Sequence, residues 1–246
     1  MSQVVQSAIP EDVLDEWVRP LIVEAIGPFA LVFMGVGSIL FADGDLVVIA
    51  FAHGLAIALM VAAAGHISGG LYNPALTLGV VLGGKLDPIK GAAYIVAQLA
   101  GAVIAAACLT ALFPSDATGP VNLGTPLISG EITIAQGLGL EIVLTFFLMY
   151  AVFGTAIDKR GPAAIAPLVI GLIITMDIFA AGPATGAAMN PARAFGPALI
   201  DGTWDDHWVY WVGPAAGAAI AALLYAYILI PPSQDEQAPP PEVMTR

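Results

Sequence analysis

Basic residues are scarce in this chain: seven Lys and Arg stand against nineteen Asp and Glu in 246 residues, for a net charge of −12. With no cluster of Lys and Arg to follow a phosphate backbone, a nucleic-acid partner is excluded. Charged residues of every kind make up 11% of the chain, where a soluble domain carries about 25%. Cysteine occurs once, at Cys108 in an apolar run, so neither a disulfide framework nor a thiolate metal site can be built. The three histidines lack ligand spacing, and there is no nucleophile–base set or phosphate loop. Enzyme chemistry and a cofactor are therefore not expected. What the chain has in abundance is apolar: 59% of it is hydrophobic, more than one soluble core of this length can enclose. The excess must face lipid.

Six apolar runs are each long enough for a hydrocarbon core of about 30 Å. They are Leu21–Phe41, Leu46–Gly65, Gly91–Phe113, Ile132–Ile157, Pro162–Ala181 and Trp208–Ile230. Backbone groups in lipid must be satisfied within the segment, so runs of this length are helices; a barrel would show short alternating strands. An acidic stretch (Glu11, Asp12, Asp15, Glu16) precedes the first run, which marks it as a span rather than a cleavable signal. Two further stretches, Ile67–Gly83 and Ala187–Ile200, are too short to cross, and each contains Asn-Pro-Ala. Proline is well tolerated at the first helical position. Each stretch is thus a loop that enters the membrane and continues as a half-length helix.

The few charges set an orientation. Arg19, Lys85, Lys90, Lys159, Arg160 and Arg246 fall on one side of six spans; Asp43, Asp45, Asp116, Glu131, Asp201, Asp205 and Asp206 fall on the other. The positive-inside rule puts both termini in the cytoplasm, for a multi-pass protein of the cell membrane. The expected organisation is a cytoplasmic N-terminal segment over 1–19, with a short interfacial helix up to Trp17, then a channel domain over 20–230. Residues 231–246, rich in proline and acid, are expected to form a disordered cytoplasmic tail.

The chain also repeats. Glu24 to Asn73 and Glu141 to Asn190 are both 49 residues, and at the resulting offset of 117 Ser68 falls on Thr185, Gly69 on Gly186, Gly79 on Gly196, and Tyr94 on Trp211. The copies cover about 20–113 and 132–230. Each holds three spans, an odd number, so the second must be inverted relative to the first. Inverted repeats with paired broken helices point to a site at the membrane midplane. A secondary transporter shares that architecture, but its coupling requires titratable groups along the path, here only Glu24, Glu141, Asp177 and His53. Linear, non-saturating flux without a proton-gradient dependence distinguishes a channel from it.

Glu24-Ala25-Ile26-Gly27, Gly65-His66-Ile67-Ser68-Gly69, Asn73-Pro74-Ala75-Leu76-Thr77, Gly139-Leu140-Glu141 and Asn190-Pro191-Ala192-Arg193-Ala194-Phe195-Gly196-Pro197 together resemble the aquaporin, or major intrinsic protein, family. The resemblance covers about residues 20–230. It implies an all-α membrane protein of six transmembrane helices and two re-entrant half-helices, assembled as a homotetramer with a pore in each subunit. Water and small neutral solutes would cross it passively.

Within such a pore, Asn73 and Asn190 bring two amides and two positive half-helix ends together at mid-membrane, where they orient water and repel cations. The carbonyls of Gly70, Leu71 and Tyr72, and of Ala187, Ala188 and Met189, line the path as acceptors, since unpaired carbonyls survive in a membrane only beside water. Glu24 and Glu141 brace the re-entrant loops, as the resemblance implies. Arg193 is the only basic residue in the membrane region and its repeat partner is Leu76, so the pore is asymmetric. Gapless counting from the family's pattern adds His53, Ile178 and Ala187 to the constriction around Arg193. That set departs from the aromatic-His-small-Arg pattern of strict water channels and from the Trp-Gly-aromatic-Arg pattern of glycerol facilitators. Ala194, Ala198 and Tyr210-Trp211 favour water, whereas Gly182-Pro183-Ala184-Thr185-Gly186 with Met189 resembles glycerol facilitators, the alternative reading. Water with slower glycerol passage, and no protons or ions, is the expected selectivity. His66 is expected to line the pore or brace the first loop, and Asp177 lies near the outer vestibule.

Overall fold

The computed structural model describes residues 10–231. The ends assigned to the N-terminal segment and the tail, 1–9 and 232–246, lie outside the described residues. Within them are six membrane-length helices and two half-helices: α1 (Glu11–Phe41), α2 (Leu46–Ser68), α3 (Pro74–Leu82), α4 (Pro88–Leu112), α5 (Ile134–Ile157), α6 (Ala163–Thr185), α7 (Pro191–Asp201) and α8 (Val209–Leu229). The half-helices are α3 and α7.

Local chemistry sets the ends. Asp45 caps α2 by accepting from the Val47 and Val48 amides, Asp87 caps α4 from Ile89 and Lys90, and Thr133 with Gln136 forms a reciprocal cap on α5. Pro74, Pro88 and Pro191 occupy first helical positions. Both α2 and α6 stop at a left-handed glycine, Gly69 (φ 98°) and Gly186 (φ 80°), the conformation that glycine adopts without steric cost.

One boundary differs from the sequence expectation. Residues 11–18 are not a separate interfacial helix but the first turns of α1. Pro20 would clash with the carbonyl one turn before it in a regular helix; the wide i→i+5 turn over Leu14–Val18 relieves that clash, so the helix continues.

The packing has the symmetry of the repeat. α1 lies against α4 as α5 lies against α8, and α2 pairs with α6 across the centre. The half-helices cross over: α3 packs on α8 and α7 on α4, each on the last span of the opposite repeat. The α2–α6 crossing is closest at Gly54 and Gly171, themselves repeat partners, where a Cβ on either would collide with the carbonyl of the other. Outward-facing side chains such as Leu59, Val96 and Ile220 keep more than half of their surface uncovered, which lipid tolerates and water does not.

In the last span the repeat register shifts by one. The expected partner of Tyr94 was Trp211, but the hydroxyl of Tyr94 donates to the Ser68 carbonyl (3.1 Å) as that of Tyr210 donates to the Thr185 carbonyl (2.8 Å). From Asn73 to Tyr94 is 21 residues and from Asn190 to Tyr210 is 20, so an ungapped offset cannot carry through to the last span.

Candidate functional site

Glu24 and Glu141 are fully buried, and each holds the loop that precedes its half-helix. Glu24 accepts from Ser68 Oγ (2.6 Å), the Leu71 amide (3.0 Å), the Tyr72 amide (2.8 Å) and Gln98 Nε2 (2.8 Å). Glu141 accepts from Thr185 Oγ1 (2.8 Å), the Ala188 amide (2.9 Å) and the Met189 amide (2.8 Å). Each carboxylate thus supplies acceptors to donors that would otherwise be stranded in an apolar interior. Gln98 and Thr77, whose Oγ1 takes a second bond from Gln98 (2.9 Å), belong only to the first clamp. A glutamine in the middle of an apolar span was a legible signal for that pair.

Held this way, the loops take one path twice. Gly70 (φ 64°) corresponds to Ala187 (φ 42°), and Tyr72 (φ 52°) to Met189 (φ 52°). Alternate left-handed residues turn the chain end-on into the half-helix, which starts with its asparagine. Asn73 Oδ1 caps α3 through the Ala75 (2.9 Å) and Leu76 (3.4 Å) amides, while its Nδ2 donates to the Met189 carbonyl (2.8 Å). Asn190 mirrors it: Oδ1 accepts from Ala192 (3.0 Å) and Arg193 (3.3 Å), and Nδ2 donates to the Tyr72 carbonyl (2.9 Å). Pro74 and Ala75, and Pro191 and Ala192, form the buried first turns behind them. A side-chain amide carries two N–H groups, so each asparagine has one left for a ligand.

This arrangement corrects one expectation. The carbonyls of Tyr72 and Met189 are not unpaired: each is clasped by the asparagine of the opposite repeat. Those of Gly70, Leu71, Ala187 and Ala188 accept nothing from the described residues.

Two cavities meet this centre from opposite sides. One, termed outer from the orientation expected on charge, is about 340 Å³ and is lined by His53, Ile178, Arg193 and Gly186, together with Gly124 and Thr125 from the loop before α5. Ala187, the remaining member of the expected constriction, follows Gly186 but is buried and does not line this cavity. The inner cavity, about 50 Å³, reaches both asparagines and is lined by Gly70, Leu71, Val61, Leu76 and Ile170.

Arg193 is 3% exposed, and its guanidinium is held at two points. Nη1 donates to the Gly124 carbonyl (2.8 Å), and Nη2 lies 3.4 Å from His53 Nε2. His53 Nδ1 is 2.8 Å from the Ile49 carbonyl, an acceptor only, so Nδ1 carries the proton and Nε2 offers its lone pair to Arg193. His53 therefore orients the arginine as well as lining the outer cavity. Its ring is fixed over Gly35 of α1, where any Cβ would sit 2.6 Å from Cδ2. The Gly124 carbonyl carries no motif: it is presented by three consecutive left-handed residues, Asn122, Leu123 and Gly124.

His66 lies elsewhere than expected. In the last turn of α2, it lines a separate cavity with Asp15 and Arg19 and neither of the central two. Asp177 is buried on α6 with Oδ2 unpartnered, and it too lines neither.

The comparisons with known proteins agree with this architecture. The family model "Major intrinsic protein" matches residues 13–225. "Probable aquaporin TIP3-2" of Arabidopsis thaliana is 46% identical over 231 residues, covering 87% of this chain and 85% of that protein. "Aquaporin TIP4-4" of Zea mays is 42% identical over 219 residues, 85% of each. The crystal structure of the aquaglyceroporin from Plasmodium falciparum superposes with a TM-score of 0.80 at 26% identity, over 87% of this chain and 97% of that one. The chain belongs to the major intrinsic protein family: it is an aquaporin-type passive membrane channel for water and small solutes, not an enzyme.

Proposed function

We propose that the protein conducts water through the path between its two cavities, passes glycerol more slowly, and excludes protons and ions. The observation that carries this reading is the crossed pair of asparagines. Each is clamped by the opposite loop and each keeps one N–H for the lumen, so a water between them accepts two hydrogen bonds and cannot relay a proton past that point. Arg193, fixed by Gly124 and His53, adds an immobile positive charge in the outer cavity. The constriction formed by His53, Ile178 and Arg193 selects by size and by hydration. His53 Nε2 is spent on Arg193 and Ile178 offers no polar atom, so a desolvated polyol recovers few of its hydrogen bonds, at about 1–3 kcal/mol for each one missing.

A glycerol facilitator is the second reading, favoured by the aliphatic side chain at Ile178 and by the likeness to an aquaglyceroporin. The assembly is a homotetramer in the cell membrane with both termini cytoplasmic, in keeping with the family and with the one-sided placement of Lys and Arg. Stopped-flow measurement on proteoliposomes, with water, glycerol and urea in parallel, tests the selectivity. Water permeability well above that of glycerol, linear in the gradient and independent of a proton gradient, is the expected result. Equal water and glycerol rates would favour the facilitator, and saturating, proton-coupled flux a transporter.

A further inference from the structure

At the rim where α3, α5 and α8 all end, a fourth cavity of about 680 Å³ opens away from the pore. Its walls carry Lys85 from the connector after α3, Asp158, Lys159 and Arg160 from the turn after α5, and Tyr227 and Ile230 from the end of the chain's last helix. Three of the seven Lys and Arg in the whole sequence are gathered here. The single carboxylate is already matched: Arg160 grips Asp158 through Nε (3.0 Å) and Nη2 (2.5 Å) while also donating to the Leu229 carbonyl (2.9 Å). These bonds hold the Asp158 carboxyl down to about 2, so it stays ionised and committed to Arg160 at neutral pH. Lys85 and Lys159, both exposed, make no ion pair with any described residue and leave two positive charges in excess.

We propose that this cavity binds the phosphate-bearing headgroup of an anionic phospholipid. Its volume falls within the range of ligand sites, about 300–1,000 Å³, and two lysines without an ion-pair partner among the described residues supply the charge. The helix end beside the cavity is apolar and uncovered: Ile228 is more than 70% exposed, and its neighbour Tyr227, which lines the cavity, presents an amphipathic ring that is 68% exposed. A free phosphate ion needs the lysines alone; a lipid uses both features, its headgroup in the cavity and its acyl chains along the exposed face. Membrane topology by itself calls for positive charge on this side but not for a concave site shared by three helix ends. Tyr227 Oη and Arg160 also occupy the terminal carbonyls of Leu82 and Leu229, which ties the site to the ends of α3 and α8.

The test is lipid retention by the full-length protein, read by native mass spectrometry after equilibration with mixed phosphatidylglycerol and phosphatidylcholine. The parent should hold phosphatidylglycerol at least about tenfold over phosphatidylcholine, and Lys85→Gln/Lys159→Gln should lose that preference. Lys90→Gln, on the same side but outside the cavity, should keep it; equal loss there would mean diffuse surface attraction and would overturn the site. Binding of inorganic phosphate without any lipid preference would overturn it as well. So would phosphatidylglycerol binding that emerges only after Asp235→Asn/Glu236→Gln/Glu242→Gln, which would assign the cavity to the acidic C-terminal residues. Water permeability of the lysine variants in phosphatidylcholine liposomes should match the parent, which separates failure of this site from failure of the pore assignment.

Discussion

The outer and inner halves of the pore are copies of one design with different chemistry. Around the asparagines the copies agree: Leu31 and Leu148, Ile57 and Ile174, and Asn73 and Asn190 are repeat partners, and all line the inner cavity. Further out they diverge. His53, Ile178 and Arg193 of the outer cavity have as partners Ile170, Val61 and Leu76, which occupy the inner one. Two polar groups on one side are thus aliphatic on the other. The clamps beneath the loops differ the opposite way, since the inner one gains Gln98 and the outer one has Pro214 in its place once the one-residue shift is allowed for. Scaffold symmetry is enforced by backbone donors that must be satisfied wherever a loop enters the membrane. Selectivity bears no such demand and needs to be built only once along the path.

The largest effect should come from breaking the outer clamp. Glu141→Ala strands Thr185 Oγ1 and the Ala188 and Met189 amides, at about 1–3 kcal/mol each. Yield of folded protein in detergent and its melting temperature should collapse before selectivity changes. A stable, abundant variant with altered solute preference would show that Glu141 acts on solute rather than on the loop.

Arg193→Leu gives the outer half the residue that its repeat partner Leu76 already supplies to the inner half. Water flux should stay within about twofold of the parent, while proton or cation leak rises by at least about tenfold, equivalent to ~1.4 kcal/mol of barrier. Proton-tight liposomes would mean that the two asparagine dipoles suffice for exclusion.

Selectivity between solutes should respond less. His53→Ala both widens the outer cavity and frees Nη2 of Arg193, so the glycerol-to-water ratio should rise several-fold, about one lost hydrogen bond's worth. Ile178→His should lower that ratio. Paired water and glycerol rates in the same liposomes decide both, and an unchanged ratio in His53→Ala would remove His53 from the constriction.

The smallest effect sharpens the comparison of the loops. Gly70→Ala places in the inner loop the residue that the outer loop already has, and should cost about 1 kcal/mol from left-handed strain. Its Cβ would also sit 3.1 Å from Gly65 Cα. Ala187→Gly exchanges relief of the same strain for a more flexible unfolded chain and should fall within about 0.5 kcal/mol of the parent. Thermal melts in detergent measure both shifts.

Much of this was legible before any coordinates. The spans, the half-helices, the asparagine caps and the bracing glutamates each rest on a local requirement that leaves a residue signature: length for a span, Asn before Pro for a cap, a carboxylate among apolar neighbours for a clamp. Where local pattern ran out, expectations moved. Residues 11–18 continue α1 because a wide turn absorbs Pro20; Tyr210 rather than Trp211 mirrors Tyr94 because the second repeat is one residue shorter between its asparagine and that tyrosine. His66 lines a cavity with Asp15 and Arg19 because the turn it occupies faces α1 rather than the centre.

The sequence by itself determined that the chain crosses a membrane six times, that its halves are inverted copies, and that polar groups converge where the half-helices begin, because hydropathy, parity and capping are properties of short segments. Only the tertiary structure decided that each asparagine clasps a carbonyl of the other repeat and that His53 offers its lone pair to Arg193. It alone placed the unmarked Gly124 carbonyl as the arginine's second anchor and brought Lys85 and Lys159 to the walls of one cavity at three helix ends. Those contacts join residues from 69 to 140 positions apart, and a linear pattern does not encode which distant backbone groups folding will bring within hydrogen-bond reach.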